Sequence, residues 1–97
     1  MNVHQKEQQG LRDHLRAVEE RFPIRFVGLL PRGAAVHILE DEALDLLAEK
    51  LPGLTLISLT GAELDLAKRL HRPVGIVLDS ELRGREREEV LSQVRPL

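Results

Sequence analysis

The stretch Gly53-Leu54-Thr55-Leu56-Ile57-Ser58-Leu59-Thr60-Gly61-Ala62-Glu63-Leu64-Asp65-Leu66-Ala67-Lys68-Arg69-Leu70-His71-Arg72-Pro73-Val74-Gly75-Ile76-Val77-Leu78 decides the fold. From Ala62 to Leu70 the residues Leu64, Ala67 and Leu70 recur at helical spacing, which predicts a helix with that stripe on one side. Arg72-Pro73 stops it, because the residue before proline is pushed out of the helical region. Val74 to Leu78 is then a buried strand, rich in branched side chains and interrupted by Gly75. Leu54 to Thr60, after the break at Pro52-Gly53, fits either a strand or the entrance of the helix.

Towards the N-terminus, Leu11, Leu15, Val18 and Phe22 keep one helical face, with Arg12, Asp13, Arg16, Glu19 and Glu20 on the others. Pro23 ends this first helix. Ile24 to Leu30 reads as a buried strand, Pro31-Arg32-Gly33 as a turn, and Ala34 to Leu39 as a second apolar run of strand length broken only by His37. From Asp41 to Leu51, the residues Ala43, Leu44, Leu47, Ala48 and Leu51 fit a helical face, with Asp41 and Glu42 suited to its N-terminus. The local pattern therefore slightly favours a helix there. Beyond Leu78, Ser80 is a candidate N-cap for a last helix reaching about Val94, with Leu82, Val90, Leu91 and Val94 as its buried side.

These elements predict one α/β domain over residues 1–97, a small mixed sheet with helices packed on it; the polar residues 1–10 are expected to be its least ordered part. The chain has 42% hydrophobic and 31% charged residues, the balance of a globular protein, and only Phe22 and Phe26 as aromatics. A formal charge of −2 supplies no global field for phosphate backbones, so nucleic acid is not an expected partner. Without cysteine there are no disulfides, thiolate metal sites or cysteine nucleophiles. Residues 1–10 lack the apolar centre of a signal peptide, and no apolar run approaches membrane-spanning length, so no membrane partner and a cytoplasmic location are expected.

Residues 53 to 78, with the ending Val77-Leu78-Asp79-Ser80-Glu81-Leu82-Arg83-Gly84-Arg85-Glu86-Arg87-Glu88-Glu89-Val90-Leu91, resemble the second half and closing Arg/Glu-rich helix of a minimal nucleotidyltransferase domain. In that family a strand ends in Gly-Ser, whose amides and hydroxyl cradle a triphosphate. About a dozen residues later comes Asp-apolar-Asp-apolar, and a third Asp lies on a later strand; the carboxylates hold Mg²⁺. The resemblance places Gly28-Leu29 at the Gly-Ser pair, Ala43-Leu44-Asp45-Leu46 at the paired carboxylates, on a strand, and Gly75 at the third. It implies Gly28, Arg32 and Gly33 as residual nucleotide contacts and Asp45 as the residual metal or catalytic candidate. With the hydroxyl and two of three carboxylates replaced, the family chemistry is expected to be lost, and no cofactor is expected.

Other chemistry-bearing residues have plainer readings. His4, His14, His37 and His71 are too dispersed for a local metal site, and His71 suits a helix C-terminus. Arg83, Arg85, Arg87 and Arg95 alternate with Glu81, Glu86, Glu88 and Glu89, which makes a solvated, salt-bridged face. Glu63, Asp65 and Asp45 form an acid and base pair only on paper, with no nucleophile beside them.

Family members of this size often partner a helical RNA-cleaving toxin, either covering it or adenylylating it. A chain without the carboxylates is left with covering. The resemblance thus implies an antitoxin-like or self-associating pseudoenzyme that binds a protein or a second copy, with the Ala34 to Leu39 strand as a candidate edge. The alternative is an Mg²⁺- and ATP-dependent nucleotidyltransferase that recruits Glu40, Asp41 or Glu42 beside Asp45. A coincidental likeness would show itself in a different strand order.

Overall fold

The computed structural model describes residues 3–31, 34 and 43–97. Along these residues run α1 (Val3–Arg21), β1 (Ile24–Leu29), β2 (Leu44–Lys50), α2 (Leu56–Leu70), β3 (Val74–Leu78), a 3-10 turn (Asp79–Glu81), α3 (Gly84–Gln93) and β4 (Arg95–Pro96). The strands form one mixed sheet in the order β3-β2-β1-β4. β2 runs antiparallel to β1 and parallel to β3, and β4 runs antiparallel to β1. The α/β architecture expected from the sequence is thus the one observed.

Both faces of the sheet are covered. Leu15 and Val18 of α1 and Leu59, Ala62 and Leu66 of α2 pack on Ile24, Phe26, Leu46, Ala48, Val74 and Ile76. On the opposite face Leu30, Leu47 and Leu82 form a smaller cluster, closed by Val90 and Val94. This explains why β2 departs from the helix that its local pattern slightly favours. Leu46, Leu47 and Ala48, consecutive residues, are 0%, 1% and 0% exposed, so successive side chains enter opposite clusters. Only a central strand buried on both faces achieves that, and burial of this kind outweighs the poor strand propensity of Leu and Ala.

Two other elements also differ from expectation. The last helix starts at Gly84, not after Ser80, which lies inside the 3-10 turn. Arg87 holds that turn by donating from Nη1 to the Asp79 carbonyl at 2.8 Å, a bond from eight residues downstream that delays the helix. Of its expected buried side, Leu82, Val90 and Val94 pack inward but Leu91 is exposed. In α2 the buried stripe is Leu59, Ala62, Glu63 and Leu66, while Leu64 faces outward. The open question at residues 54 to 60 resolves to a helix start: Thr55 is the N-cap, and Thr55 and Ser58 satisfy each other's amides in a capping box. His71 ends the helix in the left-handed conformation, φ 56°. The expected strand Ala34 to Leu39 lies outside the described residues apart from Ala34, whose amide donates to the Pro31 carbonyl at 3.2 Å.

Two glutamates tie helices to strand edges. Glu63 of α2 accepts the Ile76 amide of β3, the edge strand among the described residues, at 2.8 Å, and Glu19 of α1 accepts the Phe26 amide of β1 at 2.8 Å. Glu63 is 9% exposed. Glu63→Ala strands that amide in an apolar setting and is expected to lower stability by about 2 kcal/mol, read from the urea midpoint. Glu63→Gln, which keeps an acceptor, should recover at least half; equal losses would refute the role.

Candidate functional site

Strand register sets the geometry of the site. Leu30 donates its amide to the Asp45 carbonyl at 2.9 Å, while β3 pairs Gly75 with Asp45 in parallel. Residues opposite each other on adjacent strands share a face at about 5 Å separation. A carboxylate at position 75 would therefore stand directly beside that of Asp45. Gly75 offers no side chain, and both positions are buried, Asp45 to 2% exposure. Ala43, at the entrance of β2, which the resemblance sets at the first carboxylate, is buried.

Leu29, which the resemblance sets at the serine of the Gly-Ser pair, packs with the α1 and α2 cluster. Leu30, next along the chain, is buried beside Leu47 in the smaller cluster. Gly28 has a packing reason of its own. It follows a bulge at Val27 and pairs with both Leu47 and Pro96. A Cβ there would lie 2.5 Å from Val94 Cγ1 and 2.7 Å from the Arg95 carbonyl oxygen. The close approach of β4 thus accounts for a glycine at 28 without a phosphate. Arg32 and Gly33 lie outside the described residues, as do Glu40, Asp41 and Glu42.

The other carboxylates are committed elsewhere. Glu63 holds the Ile76 amide, and Asp65 accepts from Arg21 at 3.0 Å and Arg69 at 3.3 Å. Both are on α2, across the sheet from Asp45. Among the described residues no three His, Asp or Glu side chains converge on a common point. Mg²⁺ prefers octahedral oxygen ligation, through one or two carboxylates together with substrate phosphate oxygens. On the face where β2 and β3 set Asp45 beside Gly75, the described residues bring no group of carboxylates together, and the described donor set does not fit a nucleotide-bound Mg²⁺. Sequence reasoning missed the β4 closure over Gly28, for which a two-residue strand leaves no signal.

No helix among the described residues is long and apolar enough to cross a membrane. No family model matches the chain, and no curated protein does. A solved structure provisionally described as a minimal nucleotidyltransferase is similar over 100% of this chain and 97% of its own, with 28% identity and a TM-score of 0.71. A match of that extent, over the whole length and not only from residue 53 onward, removes coincidence as an explanation of the sequence likeness. In fold, over its whole length, the chain is minimal-nucleotidyltransferase-like.

Proposed function

We propose that this domain is non-catalytic and acts by binding protein, either an antitoxin-like partnership with a helical RNA-cleaving toxin or association with a second copy. The observation that carries the reading is the register of β2 and β3, which sets Gly75 opposite Asp45. Nucleotidyl transfer needs carboxylates to hold Mg²⁺ against the triphosphate and to orient the attacking oxygen, and a glycine does neither. Leu29 turned into the core and Val94 and Arg95 against Gly28 support the same conclusion from the nucleotide side.

A thermal melt with and without millimolar MgATP tests it. A ligand at 100 times its dissociation constant adds about 2.7 kcal/mol, which would raise Tm by roughly 10 °C or more in a domain this small. No shift is expected. A shift that disappears in Asp45→Asn would overturn the proposal in favour of an enzyme that completes its metal site from Glu40, Asp41 or Glu42.

A further inference from the structure

The C-terminal end of α1 and the outer side of α2 bound a groove of about 540 Å³, lined by Arg21, Phe22, Gly61, Leu64, Asp65 and Lys68. Its floor is apolar and fixed. A Cβ at position 61 would stand 3.1 Å from Phe22 Cε1, so glycine there lets the ring lie against the helix. The same ring also packs against the core, which holds it in place. Leu64, 66% exposed, forms a wall, and Ile57, one turn before Gly61 and 86% exposed, extends the apolar surface beyond the groove.

The rim carries positive charge in a chain whose formal charge is −2. Asp65 is the one carboxylate among the described residues lining the groove, and it is shared: Arg21 meets it at 3.0 Å and Arg69 at 3.3 Å. Two guanidinium groups on one carboxylate leave one positive charge over, and exposed Lys68 adds a second. Arg21 is ordered beforehand, by Asp65 and by the Phe22 ring, whose centroid lies 5.7 Å from the guanidinium carbon. Little freedom is therefore lost when it takes up a further anion. An anion without an apolar body would leave Phe22 and Leu64 wet, and an apolar chain without charge would desolvate Arg21 and Lys68 with no return. The lining matches a ligand that carries both, a carboxylate beside a bulky apolar side chain. A recess takes in protruding side chains, which a bilayer surface does not present, and two surplus charges are too few to track a phosphate backbone.

We propose that this groove docks an acidic peptide segment of another protein, with a bulky apolar side chain against Phe22 and Leu64 and a neighbouring carboxylate on Lys68 and Arg21. The proposal rests on the protein-binding reading and names the chemistry of its partner. Random dodecapeptides displayed on phage and selected on the immobilised chain test it. Enriched peptides should carry Glu or Asp within a few residues of a bulky apolar side chain. Fluorescence anisotropy of a labelled one should show binding that falls at least about fivefold in Lys68→Glu and in Leu64→Ser, both exposed positions whose change leaves the circular dichroism spectrum unmoved. Lys68→Arg should bind as the native chain does. So should Arg85→Glu, the same change of net charge on α3, which packs on the opposite face of the sheet. Selection without acidic enrichment, binding indifferent to Lys68→Glu, or an equal loss in Arg85→Glu would each overturn the proposal. Tighter binding of phosphatidylserine vesicles or of oligo-dT through Lys68, or a concentration-dependent dimer abolished by Lys68→Glu, would also overturn it, by giving the groove a different occupant. Failure in a chain that also ignores MgATP removes this site alone; a MgATP response lost in Asp45→Asn removes the reading beneath it.

Discussion

Gly75→Asp is expected to destabilise the protein by about 3 kcal/mol in metal-free buffer, and Mg²⁺ is expected to return part of that loss. The register sets position 75 beside Asp45, inside a sheet covered on both faces. Two adjacent buried carboxylates repel each other, and the one added at position 75 loses its hydration in a buried setting, a cost of about 3 kcal/mol. A divalent cation between them reverses the sign of that interaction. Millimolar Mg²⁺ should therefore raise the urea midpoint of Gly75→Asp and leave the native chain unmoved. Gly75→Asn, similar in size and uncharged, should cost less and ignore the metal. If Gly75→Asp matched the native chain in stability, positions 45 and 75 would not be neighbours and the account of the site would fail.

Gly28→Val should be comparably damaging for a different reason. Any Cβ at 28 meets Val94 Cγ1 at 2.5 Å and the Arg95 carbonyl oxygen at 2.7 Å. A side chain can rotate away, but a carbonyl held in a strand pair cannot. Overpacking of this kind costs about 1 to 3 kcal/mol, and valine should reach the upper end or dislodge β4. Val94→Ala introduced with Gly28→Ala removes the first clash and not the second, so rescue should be incomplete, as measured by urea denaturation. Gly28→Ala at native stability would show that β4 does not close over β1, and the glycine would need another explanation.

Much of this fold was legible where local and tertiary preferences agree. Pro23 and Pro73 mark the ends of helix-to-strand transitions, and the β-branched run Val74 to Leu78 is a strand by propensity and by burial. Residues 44 to 50 were not legible from pattern, because a strand buried on both faces loses its alternation and Leu-Leu-Ala is as good a helix as a strand. Ser80 misled for the opposite reason: its side chain is a favourable cap in isolation, while the Arg87 bond to Asp79 that fixes the true helix start links residues no local rule connects. Of the helical stripe Leu64, Ala67 and Leu70, the latter two pack against the core and Leu64 does not, and periodicity alone does not say where a helix apolar on two sides meets the sheet.

The site was legible only in part. The identity of each residue at positions 28, 29, 43, 45 and 75 is in the sequence, yet their meaning depends on register, which is a property of paired strands. Only the register of β2 and β3 sets Asp45 and Gly75 side by side. The packing of Val94 and Arg95 over Gly28 joins residues far apart in the chain, and no motif announces it.

The Glu63 bond to Ile76 bears on how this protein can be recognised at all. Leu44 donates to the Pro73 carbonyl, so the amides of Val74, Ile76 and Leu78 point away from β2, and Glu63 occupies the middle one. An incoming strand would find its central hydrogen bond already taken by a carboxylate, which it would have to evict before zipping along the sheet. Backbone pairing is indifferent to sequence, and this edge refuses it. Recognition on this side of the molecule must be written in side chains, so any partner that docks there is chosen by its residues and not merely by being extended.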